Sequence, residues 1–166
     1  MFANIAYHKG AKEIFCFEPT DTAFECLVRN KPLNAHLFKS AVGNYDGLTT
    51  IALPSTDDTM GASIYKKDGI VNYAPIVTLD TLFKNGVFEK IDFLKIDCEG
   101  AEKEILEGIS DENLKKVKKI ALEYHTEILS EEYSESLIKR MSDNGFNFFQ
   151  LFIGDGTLRV YNFWRP

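Results

Sequence analysis

The sequence predicts an α/β protein with a mostly parallel sheet, helices on both faces and one antiparallel hairpin at its C-terminal end. Three observations carry that prediction. Short apolar runs of strand type alternate with amphipathic runs of helical period along most of the 166 residues. One strand-type run, residues 93–97, stops abruptly at Asp97, and Glu99, Gly100 and a helical pattern follow at once. Two aromatic runs, residues 146–153 and 157–163, flank Gly154, Asp155 and Gly156, a hairpin signature.

Taken in order, residues 1–8 carry a weak helical pattern that Gly10 stops. Residues 13–17 form a strand, ended by Pro19, which cannot donate to a sheet ladder. Thr22 and Glu25 fit a capping box, with Ala23, Phe24, Leu27 and Val28 as the apolar stripe of the helix that follows. Residues 30–34 turn, and 35–42 form a second strand closed by Gly43. Residues 48–53 alternate weakly. Residues 57–63 read as a loop, whose Asp57, Asp58 and Ser63 either line a substrate pocket or are simply exposed.

Residues 74–79 return to strand character, and Asp80 starts a short helix. After the strand ending at Asp97, Ala101, Ile105, Leu106 and Ile109 share one helical face, with Glu102, Lys103 and Glu107 expected outward. Residues 117–124 form a further strand. Ser130 caps a helix with a buried stripe of Tyr133, Leu137, Ile138 and Met141, stopped by Gly145. No repeat, linker or low-complexity segment interrupts this order, so one domain over residues 1–166 is expected.

Composition narrows the function classes. A net charge of -6 argues against general affinity for nucleic acid or anionic membrane, which clustered Lys and Arg would provide. The one basic cluster, Lys115, Lys116, Lys118 and Lys119, reads as a solvated loop. Cys16, Cys26 and Cys98 are odd in number and far apart, with no C-x-x-C spacing, which suits reduced thiols rather than a disulfide or zinc framework, and no His, Cys and acid group has metal spacing. No apolar run reaches the roughly 18 residues a membrane span needs. A cytoplasmic protein with reduced thiols is the expectation.

Several blocks, in order, resemble the FkbM-type methyltransferases. Phe15-Cys16-Phe17-Glu18-Pro19 is similar to that family's AFEP, the 30–34 turn to its N…LN, and Ser40-Ala41-Val42-Gly43 to its AVG. Thr78-Leu79-Asp80 resembles its TLD, and Leu122-Glu123-Tyr124-His125 its acid-then-histidine element. Residues 93–102, with Asp97, Glu99, Gly100 and Glu102, are the most specific block. The resemblance implies a Rossmann-like class I methyltransferase sandwich and S-adenosyl-L-methionine as cofactor. It also implies a small-molecule or carbohydrate acceptor methylated at a hydroxyl. Members of that family open with a strand and a glycine turn, D-x-G-A-x-x-G, and neither is found here. The first strand of the sheet is therefore expected to be missing, with a missing N-terminal segment or a partner chain completing the sheet, or the domain rearranged. The rival function is a catalytically inactive fragment or binding module that keeps the fold. A nucleotide-binding oxidoreductase is the weaker rival, since G-x-G-x-x-G occurs nowhere.

Residue types then suggest roles. Glu18, an acid at a strand end, can accept hydrogen bonds from both ribose hydroxyls; its bland reading is a helix-start acid. Pro19 lies beside it, and Ser40, Ala41 and Val42 are placed near adenine by the resemblance. Asp97 and Glu99 are the candidates for chemistry, Asp97 also for cofactor contact, against readings as turn former and first-turn acid. His125 is the third candidate, since an imidazole suits a base. Lys95 shares the face of Asp97 and is expected in an ion pair.

Overall fold

A computed structural model describes residues 2–53, 70–98, 100–153 and 158–166. These fall into two compact units, one drawn from 1–42 and 46–77, the other from 43–45 and 78–166.

The first unit opens with helix α1 (Phe2–His8), strand β1 (Ile14–Phe17), helix α2 (Asp21–Asn30) and strand β2 (Ala35–Phe38). β1 and β2 pair in parallel, Ile14 opposite Ala35 and Phe17 opposite Phe38. Asn34 sets this register: its amide donates to the carbonyls of Ala11 (2.7 Å) and Lys12 (2.9 Å) while its own carbonyl accepts from Ile14 N (3.2 Å). One side chain thus ties the entrance of β1 to that of β2. Phe17 and Phe38 stack at 4.7 Å between ring centroids.

Strands β3 (Ala41–Gly43), β4 (Gly47–Leu53) and β5 (Ile70–Thr78) make a separate sheet in the order β3-β5-β4. β4 runs antiparallel to β5, Gly47 opposite Ile76. This corrects two expectations. The strand expected over 35–42 is broken at Lys39 and Ser40, and the C-terminal hairpin is not the single antiparallel excursion. Val77, Ile76 and Ala74 are legible as strand, but the pairing of β5 with the weakly alternating 47–53 is a long-range choice that no local pattern announces. The cap of α2 also sits earlier than expected. Thr20 is the N-cap and makes no side-chain cap bond, so Thr22 and Glu25 lie inside the helix rather than forming a box. Asp57, Asp58 and Ser63 lie outside the described residues.

The second unit holds helix α3 (Leu79–Lys84), strand β6 (Leu94–Ile96), helices α4 (Glu102–Glu107) and α5 (Asp111–Leu114), strand β7 (Lys119–His125), helix α6 (Glu131–Asp143) and strands β8 (Asn147–Ile153) and β9 (Leu158–Trp164). Its four-stranded sheet has the order β6-β7-β9-β8, with β6 parallel and β9 antiparallel to β7. Side chains alternate along β7, so Ile120, Leu122 and Tyr124 are buried with Tyr161 and Phe163 of β9 and Leu137 and Met141 of α6. The buried tyrosines are satisfied: Tyr124 Oη donates to Ser130 O (2.6 Å), and Tyr161 shares a 2.6 Å bond with Ser134. Ser130 caps α6 as expected, its hydroxyl accepting from Tyr133 N (3.2 Å).

The threonine, leucine and aspartate of the TLD block are structural. Thr78 caps α3. Asp80 Oδ1 accepts from Ser110 N (2.9 Å), Ser110 Oγ (3.0 Å) and Asn113 Nδ2 (2.8 Å), joining α3 to α5. The sheets are small and mixed, three among the described residues rather than one parallel sandwich. Among those residues β1 pairs only with β2, and β6 only with β7, so each presents one unpaired edge.

Candidate active site

In the first unit, the carboxyl ends of β1 and β2 lie side by side, Glu18 N donating to Phe38 O at 3.1 Å. Parallel pairing therefore brings Glu18 and Pro19 to the same sheet edge as Ser40. The Glu18 carboxylate folds back into the turn, Oε1 accepting from Thr20 N (2.9 Å) and Thr20 Oγ1 (2.7 Å). Both bonds fall on Oε1, and Oε2 takes no part in the turn. One residue further on, a cavity of about 380 Å³ is lined by Pro19, Thr20, Asp21, Lys39, Asn72, Tyr73 and Pro75. Lys39 pairs with Asp21 at its rim. Ser40 Oγ is turned away to backbone, donating to Ala41 O (2.8 Å) and Pro75 O (3.2 Å), and Ala41 and Val42 are half-buried in β3. Of the residues expected at the cofactor, Pro19 lines the cavity directly.

In the second unit the carboxyl edge belongs to β6 and β7. Ile96 pairs with Leu122, which sets Asp97 beside Glu123 and brings His125 to the same edge. Period two puts Lys95 on the Asp97 face, as expected. Its ammonium lies 3.1 Å from Asp97 Oδ2 and also pairs with Glu123. Asp97 is 45% exposed, so this is a solvent-facing acid with one oxygen held by a cation. Glu99 lies outside the described residues.

The turn after β6 buries a group that sequence reasoning placed on the surface. Glu102 is 0% exposed. Its Oε1 accepts from Gly100 N (3.2 Å) and Cys98 N (3.4 Å) and lies 2.8 Å from His125 Nδ1. Oε2 is buried without a hydrogen-bond partner among the described residues. Gly100 has a φ of 109°, a conformation glycine adopts without strain, and this is what swings the chain back so that its N–H meets the carboxylate. The correction has a simple origin. α4 begins at Glu102, with Ala101 as its N-cap, so the inward face is 102, 105, 106 and 109 rather than 101, 105, 106 and 109. The i, i+3, i+4, i+7 spacing from Glu102 was the available signal.

Burial and neighbouring acids push the Cys98 thiol up to about 12, so it is no nucleophile at neutral pH. A second cavity, about 550 Å³, includes Phe93, Lys119, Ile120, Phe149 and Trp164 in its wall. It sits at the amino end of β7, away from His125. Among the described residues no group of His, Cys, Asp and Glu is placed to hold a metal ion, and no helix is long and apolar enough to cross a membrane.

Comparison with known proteins gives one family. The family model described as Methyltransferase FkbM domain matches residues 1–148. No curated protein and no solved structure matches the chain.

Proposed function

The chain belongs to the FkbM methyltransferase domain family, and from that premise we propose that it transfers a methyl group from S-adenosyl-L-methionine to a hydroxyl on a small molecule or sugar. The observation that carries this reading is the meeting of Asp97 and His125 at one carboxyl edge of a parallel strand pair, where α/β folds keep their chemistry.

The first unit supplies groups that fit the cofactor's nucleoside. Glu18, half-buried at a strand end with Oε2 outside its turn, is an acceptor for ribose hydroxyls. Pro19 and the cavity beside it offer room for the sugar, and Ala41 and Val42 offer apolar surface to adenine. When bound, the cofactor supplies a methyl group on a sulfonium, an activated donor with a good leaving group.

Much of the acceleration then comes from alignment and exclusion of water. The acceptor hydroxyl loses its proton as its oxygen bonds to the methyl carbon. In the second unit His125 takes that proton, with Asp97, tethered by Lys95, orienting the acceptor. Proton removal of this kind is typically worth about 10² to 10⁴ in rate. We place the reaction in the cytoplasm, in keeping with the three free cysteines.

The test is transfer of label from methyl-labelled S-adenosylmethionine into a panel of sugars and hydroxylated small molecules. Alkali-stable labelled product supports an ether-forming enzyme. Asp97→Asn should slow transfer more than it weakens cofactor binding. Label appearing only on carboxyl or amine acceptors, or equal losses in rate and binding, would contradict the assignment.

A further inference from the structure

We propose that Glu102 is a positioning residue that holds His125 with its hydrogen on Nδ1, making Nε2 the proton-accepting nitrogen of the neutral ring. Burying a carboxyl group in this way is costly unless it is hydrogen-bonded, so its partners define what it does. All three of them meet on one oxygen. The N–H groups of Gly100 and Cys98 can only donate, so Oε1 must accept. Two such donors on one oxygen favour its bare form over one that carries the acid's own hydrogen, so Oε1 is the acceptor. Nδ1 of His125, 2.8 Å from the same atom, is then the donor. A neutral imidazole has one N–H, so the acceptor role passes to Nε2.

The bland alternative is that Glu102 only staples its own turn, with His125 a bystander. Sequence spacing disfavours it. Glu102 at the first turn of α4 and His125 at the last residue of β7 come from different elements, 23 residues apart. The bond between them forms at the edge that carries Asp97. A carboxylate behind an imidazole both selects the tautomer and stabilises the imidazolium that forms when Nε2 takes a proton. The tautomer rests on geometry alone; its use as a base rests on the methyl transfer proposed above.

The experiment is long-range proton–nitrogen correlation NMR on the ¹⁵N-histidine-labelled chain, at about pH 8.5, well above the ordinary imidazole pKa of roughly 6.5. His125→Gln assigns the signal, and His8 and His36 serve as internal references. The expected result is a hydrogen-bearing Nδ1 and a bare Nε2 at His125. Glu102→Gln, whose amide oxygen still accepts at the Oε1 position, should keep the hydrogen on Nδ1. Glu102→Met, with no acceptor, should shift the population toward hydrogen on Nε2, and the wild type decides the matter if the methionine variant does not fold. Hydrogen on Nε2 in the wild type, or an unchanged pattern in a folded methionine variant, overturns the proposal. Given a labelled acceptor, Glu102→Gln should lower kcat by about 10-fold to 10²-fold with KM and cofactor affinity nearly unchanged. The predicted tautomer without any methyl transfer would keep the Glu102–His125 pairing and remove the function assigned to it.

Discussion

Gly108→Ala is the substitution whose cost can be worked most directly from the structure. Gly108 follows α4 with φ -78° and ψ 9°, angles open to any residue, so it is not kept for its torsions. It is kept for space. A Cβ there would overlap the carbonyl oxygen of Gly43 and lie 2.9 Å from Gly43 C and 3.2 Å from Asn44 Cα. Carbon atoms prefer about 3.5 Å or more, and all three obstacles are backbone, so no rotamer change relieves them. The segment at 43–44 or the end of α4 must shift by on the order of 1 Å. Overpacking of this kind costs about 1–3 kcal/mol, occasionally more. The usual unfolded-state gain of Gly→Ala, about 0.4–1 kcal/mol, works against it. A net loss of about 1–2 kcal/mol lowers the melting temperature of a chain this size by about 2–8 °C. The assay is thermal unfolding by circular dichroism, with Gly86→Ala as control. Gly86 has φ 70° and nothing within 4 Å of its would-be Cβ, so only torsional strain of about 1–2 kcal/mol is expected. A Gly108→Ala protein melting at or above the native temperature would refute the close-approach reasoning.

Two further predictions concern charge and thiols. Burial alone would raise the Asp80 carboxyl, but the bonds from Asn113 and from the N–H and hydroxyl of Ser110, with Arg140 nearby, outweigh it and hold it below its usual range. A depressed folded value means the stabilisation is complete above the unfolded pKa, near 3.9, and is lost as pH falls through the folded one. Asp80→Asn should therefore cost about 1 kcal/mol at pH 7 in denaturant unfolding, and the gap to the native protein should narrow below about pH 3; an equal gap at both would contradict it. Iodoacetamide at neutral pH should alkylate exposed Cys26 first and leave Cys98 unmodified until the protein is denatured. Early modification of Cys98, read by peptide mass spectrometry, would place its thiol in a different environment.

The elements that could be read from sequence are those whose determinants are local. Ser130 before an apolar stripe specifies the start of α6, period-two alternation specifies the inward face of β7, and the aromatic runs of β8 and β9 specify the hairpin. Lys95 pairing with Asp97 followed from the same alternation. What escaped was set by partners far along the chain. The break at Lys39 and Ser40 comes with the transfer of β3 to a sheet with β5, and the antiparallel β4–β5 ladder joins residues with little pattern of their own. Glu102 was misassigned because its charge was taken to outrank its position, although the position lies on the buried face. A buried acid is affordable only with partners such as Gly100 N, Cys98 N and His125, and one of the three comes from a distant strand.

Cofactor binding is the most direct test of the central claim: calorimetric titration of the chain and its Glu18→Ala variant with S-adenosylhomocysteine. Saturable binding is expected for the native chain. Loss of hydrogen bonds from ribose hydroxyls to a charged acceptor, about 1.5–3 kcal/mol, should weaken the variant roughly 10-fold to 10²-fold with its fold intact. Equal affinity of the two proteins would contradict the ribose assignment, and no heat at millimolar ligand would contradict the cofactor itself.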